Sequence, residues 1–340
     1  MKKLAISKFK YFFAHFAVEI VSFFIVFSRL GDSEIFFYAA LLYDCIAFVP
    51  QVFIGDFCDK HKNFNSGLVG SIILTAAIII PFPVFSLLLV GIGNAIVHVA
   101  LAEKTLCTEK GTLTPVSLFV AGGSFGVILG QILSAFKIIG LILSFVSAVF
   151  LIVLFIMDSA KRLPDEVPSG FNMARKGIDS WIILLLSFLT VSARSFASYA
   201  IPTFWVRGNV QKIILFSMMG MGKALGGVFA DYFGARRTAV ISLIIATPLL
   251  CLGSQNMIIS VFGVLFFSMT MSISLGVILS VLSAPGFSFG ITTLGLFIGT
   301  LPIFIYRFEG LFERNLITVI LSVIAIISFW ICASNDNIKV

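Results

Sequence analysis

Apolar runs long enough to cross a bilayer recur along almost the entire chain. A spanning helix needs roughly 20 predominantly apolar residues, and twelve such runs, numbered here as spans 1 to 12, can be counted. They cover residues 9–30, 34–54, 66–80, 82–102, 113–136, 138–157, 180–205, 210–230, 237–253, 256–275, 285–306 and 314–332. The pattern predicts an all-α integral membrane protein with twelve transmembrane helices.

The composition excludes a soluble globular protein. Of the 340 residues, 59% are hydrophobic and only 11% are charged, too few charges for a water-exposed surface of this size. The 38 phenylalanines favour helices that face lipid. The basic residues lie at the ends of the spans and form no patch, so the high isoelectric point does not indicate a nucleic-acid partner.

The charge distribution predicts the orientation in the membrane. With a cytoplasmic N-terminus, 15 basic residues fall on the inner side and 6 on the outer side. This bias follows the positive-inside rule, and it predicts a multi-pass protein of the bacterial cytoplasmic (inner) membrane with both termini in the cytoplasm. The N-terminal run continues through Glu19 without a clear cleavage site, which indicates an uncleaved first helix.

One polar segment lies near the middle of the chain. Residues 158–179, DSAKRLPDEVPSGFNMARKGID, contain two prolines and all of the charges between spans 6 and 7. We interpret this segment as a cytoplasmic linker. It divides the chain into an N-terminal six-helix bundle, residues 1–157, and a C-terminal six-helix bundle, residues 180–340.

A short motif occurs in both halves at equivalent positions. GDFCDKHK follows span 2 and GVFADYFGARRT ends span 8, with 172 positions separating both their first glycines and their aspartates. The glycine allows close helix approach, and the aspartate can face the N-terminus of a neighbouring helix or a basic partner. Two such copies indicate two similar halves and contacts that hold one conformation and release another. The predicted conformational-switch residues are Gly55, Asp59, Lys60, Gly227, Asp231, Gly234, Arg236 and Arg237.

The second copy of the motif resembles the helix 8–9 signature of the major facilitator superfamily. A narrower resemblance, to the fosmidomycin-resistance group of efflux permeases, is carried by AHFAVEI, PQVFIGDFCDK, GIGNAIVH, SLFVAGGSFGVILG and ARSFASYAIPTF. This resemblance implies two pseudo-symmetric six-helix bundles, alternating access and proton-driven export. Two positions depart from that group: Glu19 replaces the usual Asp, and Val99-Ala100 replace a common Pro-Glu.

The ionisable residues inside the apolar runs follow the helix arrangement of that superfamily. The resemblance implies that spans 1, 4, 7 and 10 line a central cavity, whereas spans 3, 6, 9 and 12 face lipid. Between their first and last positions, spans 3, 6, 9 and 12 carry no charged residue or histidine. Span 1 holds His15 and Glu19, span 4 holds Asn94 and His98, and span 7 holds Arg194. Charges in hydrocarbon are costly, so we expect these groups to face a cavity or a partner.

The buried groups suggest roles in coupling and substrate binding. We expect Glu19 to carry a transported proton, tuned by His15 one helical turn away. Arg194 would bind an anionic group of the substrate or pair with Glu19 in the substrate-free protein. Asn94, His98 and Asp44 complete the predicted substrate site. The alternatives are a Glu19–Arg194 or Glu19–His98 pair that only stabilises packing, a structural role for His98, and a gate or helix-contact role for Asp44.

Other kinds of site are not predicted. His15 and His98 could bind a metal ion, but the sequence offers no obvious third ligand, so no metal site is expected. The chain contains no Walker motif and no hydrolase constellation, and we expect neither enzymatic activity nor a cofactor.

Span 5 carries Gly122, Gly126 and Gly130 at intervals of four residues. In an α-helix, these positions lie on one face. A face of this kind allows another helix to approach closely, so the stripe predicts tight packing of span 5 against a neighbour.

The sequence therefore predicts a monomeric secondary active transporter in the lipid bilayer. Its substrate would be a small anionic or amphipathic molecule, exported in exchange for protons, with sodium as the other candidate ion. Two alternatives stay open. One is a permease for uptake of a nutrient such as an organic acid, and the other is a non-transporting membrane sensor with the same fold.

Overall fold

A computed structural model of the chain describes residues 2–108, 111–159, 171–306 and 308–334. Most of the predicted linker, and the last residues of the predicted cytoplasmic C-terminus, lie outside these ranges. Within them the chain forms helices α1 to α14, which span Lys2–Leu30, Phe36–Phe48, Gln51–Lys60, Ser66–Ile79, Pro83–Thr108, Thr114–Leu133, Lys137–Ser159, Ser180–Ala200, Asn209–Phe233, Ala235–Leu252, Met257–Ser268, Thr270–Leu282, Pro285–Ile305 and Leu311–Cys332.

Eleven helical segments in the described residues are long and apolar enough to cross a membrane. Two of them are formed by consecutive helices, α2 with α3 and α11 with α12. The exception among the predicted spans is α4, because its 14 residues extend only about 21 Å. Pro81 explains this length, since the residue before a proline is disfavoured in helical geometry, and Ile80 adopts an extended backbone.

The break between α2 and α3 also follows from a proline. Pro50 has no backbone N–H and cannot donate the hydrogen bond that a continuous helix requires at this position. The buried side-chain amide of Gln51 donates to the carbonyl of Ala47 at 2.6 Å. This bond satisfies a backbone acceptor next to the break. Together the two helices form one apolar segment, Phe36–Lys60.

The described residues form two compact units. Unit 1 contains α1 to α5, α6 from Gly122 onward, α7 and the start of α13, Ala284–Thr293. In this unit α5 is the central helix, because it packs against α1, α2, α3 and α4. Its residues from Val97 to Ala102 are all buried.

Unit 2 contains the first residues of α6 up to Ala121, helices α8 to α12, α13 from Leu294 onward, and α14. Helix α12 is its most buried element and packs against α8, α9 and α10. Every residue of α12 from Ser272 to Leu279 is buried. Both units therefore have a core helix surrounded by other helices.

Helices α4, α7, α10 and α14 present exposed apolar side chains along one face. These four helices correspond to predicted spans 3, 6, 9 and 12. An exposed apolar surface of this extent is unfavourable in water and favourable against hydrocarbon. On α7 the exposed residues include Ile138, Ile142, Phe145, Val149, Val153 and Met157, and on α14 they include Phe312, Leu316, Ile320, Val323, Ile327 and Trp330.

The glycine stripe of α6 packs against α1 in unit 1. A Cβ atom at Gly122 or Gly126 would collide with the backbone carbonyl of Phe12 or Phe16, respectively. A Cβ at Gly130 would lie 2.9 Å from the carbonyl of Ile20. The absence of side chains at these three positions therefore permits the close approach of the two helices.

We expect Gly122→Ala to destabilise the protein by about 1–3 kcal/mol, because the new methyl group would force α6 away from α1. The measurement is thermal unfolding of the detergent-solubilised protein. Gly310→Ala is the matched control, since a Cβ there meets no atom within 4 Å. Equal melting temperatures for the two variants would contradict the packing role of Gly122.

Candidate functional site

Helices α1 and α5 of unit 1 bring His15, Glu19 and His98 into mutual contact. The Nε2 atoms of His15 and His98 lie 2.7 Å apart, within hydrogen-bonding distance. The Oε1 atom of Glu19 lies 3.5 Å from the Nε2 of His15 and 3.3 Å from that of His98. We call these three side chains the histidine–glutamate cluster.

Hydrogen bonds on α5 and α1 orient the ring of His98. Its Nδ1 atom lies 3.0 Å from the carbonyl oxygen of Asn94, one turn earlier. Because a carbonyl can only accept, Nδ1 carries the proton, and in the neutral ring Nε2 keeps its lone pair. The Asn94 amide donates to Ser22 Oγ at 2.9 Å, and this hydroxyl donates to the carbonyl of Val18 at 2.9 Å.

The cluster is enclosed by apolar helices. His15 is 8% exposed, His98 is 5% exposed and Asn94 is 1% exposed. The Oε2 atom of Glu19 is buried and has no hydrogen-bond partner among the described residues. The cluster therefore contains one acceptor oxygen whose hydrogen-bonding capacity is unused.

Helix α6 covers the cluster through two glycines. A Cβ atom at Gly123 would lie 2.5 Å from the Nε2 of His15, and one at Gly126 would lie 2.7 Å from the Cβ of Glu19. Only residues without side chains allow α6 to approach this closely. The glycine pattern of α6 thus shapes the site as well as the helix packing.

Arg194 belongs to α8, in unit 2. Its guanidinium Nη2 donates to the sulfur of Met271, on α12, at 2.7 Å, and its Nε is buried without a partner among the described residues. The residue is only 6% exposed. A buried cation whose hydrogen-bond partner among the described residues is a thioether is poorly compensated, so Arg194 is suited to bind an anionic group.

Asp44 lies on α2 in unit 1 and is partly exposed. The neighbouring Tyr43 is buried and packs edge-on against Phe23 of α1. Asp44 is thus not part of the contacts that define the histidine–glutamate cluster.

The aspartate of the second motif copy binds the start of α6. The buried carboxylate of Asp231 accepts hydrogen bonds from the backbone N–H groups of Leu113 and Thr114, at 2.8 and 2.9 Å. It also accepts from the Thr114 hydroxyl at 2.6 Å. The first N–H groups of a helix lack partners within the helix and carry a partial positive charge, so a carboxylate is the favoured partner.

The aspartate of the first copy binds the start of α13 in the same way. The carboxylate of Asp59 accepts from the backbone N–H groups of Gly286 and Phe287, at 2.9 and 2.8 Å. We call the hydrogen bonds of Asp59 and Asp231 the helix-start contacts. Each contact lies within a single unit.

The two helix-start contacts are related by the internal repeat. The aspartates are 172 positions apart. Their matching backbone donors, Leu113 with Gly286 and Thr114 with Phe287, are 173 positions apart. The motif glycines lie against the same two helices as the aspartates. A Cβ at Gly55 would collide with Gly286, and a Cβ at Gly227 would collide with Ser117. Glycine and aspartate of each copy therefore act on the same helix start.

The basic residues of the motifs have different surroundings. Lys60 pairs with Asp56 at 2.7 Å on the exposed surface, where such a pair contributes little stability. The guanidinium of Arg236 lies over the Trp330 ring at 5.2 Å, and Arg237 is exposed. Gly234 has a φ angle of +91°, which only glycine adopts easily, and it permits the sharp turn from α9 to α10.

The fold is that of a membrane transporter of known structure. The chain is similar to a variant of the E. coli fucose:proton symporter FucP, with a TM-score of 0.70 and 15% identity over 96% of this chain and 98% of that one. A second match, described as the major facilitator superfamily transporter FucP in the outward conformation, has a TM-score of 0.65 and 15% identity, over 95% of this chain and 97% of that one. At this identity the likeness shows the fold alone.

Comparisons at the level of sequence give no assignment. No family model matches the chain, and no curated protein matches it.

Sequence reasoning did not anticipate the full set of contacts in the cluster. The sequence allows a Glu19–His98 pair as one alternative, but the spacing of His15 and Glu19 on α1 gives no sign that His98 of α5 contacts both. Ser22 was also missed, although it follows His15 by seven residues and so lies on the same face. A systematic search for polar residues at this spacing would have found it.

Proposed function

We propose that this chain is a secondary transporter of the major facilitator superfamily that works by alternating access. Its two pseudo-symmetric six-helix bundles would be residues 1–157 and 180–340, joined by the linker 158–179. The short helix α4 would be the twelfth transmembrane helix. The protein would act as a monomer in the bacterial cytoplasmic membrane with both termini in the cytoplasm.

The observation that carries this proposal is the burial of the histidine–glutamate cluster inside apolar helices of a transporter fold. An ionisable group in a membrane-embedded helix is costly, and such groups usually mark pathways for substrates or ions. The cluster combines three titratable side chains within 3.5 Å of one another. A purely structural contact between α1 and α5 would not need them.

Proton coupling is the proposed role of Glu19 and His15. A carboxylate can bind and release one proton in each transport cycle, and an adjacent imidazole can stabilise either state. The unpartnered Oε2 atom of Glu19 supports this role, because that oxygen is available to a proton or a ligand. The proposed coupling ion is the proton, the ion by which the structurally similar fucose:proton symporter is described.

Substrate binding is the proposed role of Arg194, together with Asn94, His98 and Asp44. The poorly compensated guanidinium of Arg194 favours a small anionic or amphipathic molecule. Export follows from the resemblance to the fosmidomycin-resistance permeases. The second candidate is proton-coupled uptake, for example of an organic acid, and the symport described for the similar structure favours it.

The helix-start contacts are the proposed conformational switch. Each carboxylate holds the first N–H groups of a helix, and these bonds can break and form again as the helices move. Two equivalent contacts on equivalent helices would stabilise one state of the transport cycle. Release of both contacts would then accompany the change to the other state.

A growth screen tests the proposed transport function. Strains that express the protein would be compared with empty-vector strains on panels of antibiotics and metabolites. Compounds that change growth would then be added to proteoliposomes that contain a pH-sensitive dye. Substrate-dependent proton flux supports transport, whereas binding without flux would favour the sensor alternative.

Arg194→Ala is expected to reduce transport of an anionic substrate by at least about tenfold, since a charge-assisted hydrogen bond is worth roughly 1.5–3 kcal/mol. The readout is uptake or efflux of the compound found in the growth screen. Arg207→Ala is the matched control, because Arg207 lies in unit 2 and is exposed. Unchanged transport in the Arg194 variant would exclude this residue from substrate binding.

A further inference from the structure

The histidine–glutamate cluster has the ligand set of a metal site. Two imidazole nitrogens and one carboxylate oxygen, from His15, His98 and Glu19, lie within 4.8 Å of one another. Glu19 thus supplies the third ligand that the two histidines by themselves lack for a metal site. We propose that these three side chains bind one divalent transition-metal ion.

The distances between the ligand atoms fit this proposal. A tetrahedral ion with bonds of 2.0–2.1 Å separates its ligand atoms by about 3.3 Å. The distances from Glu19 Oε1 to the two nitrogens, 3.3 and 3.5 Å, already have this value. Only the two nitrogens, now 2.7 Å apart, must separate by roughly 0.6 Å to admit the ion.

The surroundings of His98 match those of metal-binding histidines. Such a histidine usually donates its other ring N–H to a carbonyl or carboxylate, which fixes the ring and its tautomer. The bond from Nδ1 of His98 to the Asn94 carbonyl, at 3.0 Å, has this arrangement. It leaves the Nε2 lone pair directed at the other two ligands.

The second carboxylate oxygen of Glu19 offers a further point of attachment. Oε2 is buried without a hydrogen bond among the described residues, an unfavourable state for a carboxylate oxygen. It can become a second ligand of the ion or accept a hydrogen bond from a water bound to it. A metal ion would therefore remove an uncompensated polar atom from the apolar interior.

The ligand set selects the class of metal. Imidazole suits Zn²⁺, Fe²⁺ and similar first-row dications, whereas Mg²⁺ and Ca²⁺ prefer sites made of oxygen. Two imidazoles with one carboxylate leave positions open for water, a second anion or exchange of the ion. We therefore expect Zn²⁺ and Co²⁺ to bind and Mg²⁺ not to compete.

Metal binding to the purified protein tests the proposal. The full chain in detergent would be treated with a chelator and titrated with Zn²⁺, and bound zinc would be counted by elemental analysis. We expect one Zn²⁺ per chain, with affinity reduced at least about tenfold in His15→Gln, Glu19→Gln and His98→Gln. His61→Gln is the matched control, because it removes the remaining histidine of the chain, which stacks on Phe57 on the exposed surface.

The visible absorption of bound Co²⁺ provides a second readout that does not depend on affinity. Its ligand-field bands report the coordination sphere, so Glu19→Gln should shift them if the carboxylate is a ligand. Wild-type protein that binds no Zn²⁺, or variants of the three ligands with wild-type affinity and spectrum, would overturn the proposal. Loss of binding only in His61→Gln would also overturn it.

The binding test is independent of the proposed transport function. It requires only folded protein, so zinc binding without proton flux would support the site and count against transport. Proton flux without zinc binding would support transport and overturn the metal site. A bound ion would use the same carboxylate as the coupling proton, so the two ions would compete for Glu19.

Discussion

Replacement of Asp231 by Asn is expected to lower the stability of the protein by about 3 kcal/mol. The carboxylate accepts three short hydrogen bonds at the start of α6, and bonds to a charged group contribute roughly 1.5–3 kcal/mol each. Asparagine keeps one acceptor oxygen, but it turns an NH₂ donor toward backbone N–H donors and removes the charge that the helix dipole favours.

Thermal unfolding of the detergent-solubilised protein measures this effect. Asp59→Asn should lower the melting temperature less, because Asp59 accepts two hydrogen bonds and is more exposed than Asp231. Asp56→Asn is the matched control, because Asp56 lies one turn from Asp59 and pairs with Lys60 on the exposed surface, where a pair contributes little stability. Equal melting temperatures for all three variants would show that the helix-start contacts are not important for stability.

Glu19→Gln is expected to reduce substrate-dependent proton flux to the background of empty proteoliposomes. The glutamine amide has nearly the same shape as the carboxyl group and can keep the contacts with His15 and His98, but it cannot carry a proton. The folded structure should therefore persist while coupling is lost. The measurement uses a pH-sensitive dye inside the vesicles and the compound identified by the growth screen.

Glu34→Gln provides the control for this experiment. Glu34 is exposed in the connection between α1 and α2. Its replacement by Gln removes one negative charge, as Glu19→Gln does. Size-exclusion profiles and melting temperatures would show whether each variant is folded. Full coupling in a folded Glu19→Gln protein would exclude Glu19 as the proton carrier.

Much of the helix pattern could be predicted because lipid imposes a simple rule on sequence. Apolar length decides which segments can span a bilayer, and eleven such helices are present in the described residues. The shortening of α4 follows from Pro81, which directly follows span 3 in the sequence. The break at Pro50 can also be predicted from the sequence, because Pro50 divides an apolar run. The direction in which the next helix continues depends on packing.

The candidate site was only partly predictable. The four-residue spacings of His15 with Glu19 and of Asn94 with His98 follow from helix geometry alone. The contact between the two pairs does not, because residues 19 and 98 are brought together by the packing of α1 against α5. For the same reason spacing cannot reveal Glu19 as the third ligand of the proposed metal site, although the sequence marks this residue as a candidate proton carrier.

The sequence alone determined that this is a chain of helices apolar and long enough to span a membrane, and that a glycine and an aspartate recur at a 172-residue interval. These features depend on local hydrophobicity and on which residue types recur along the chain. The tertiary structure alone decided that Asp59 binds the start of α13, that Asp231 binds the start of α6, and that Glu19 contacts two histidines. Those partners are distant in sequence, so only the packing of the helices selects them.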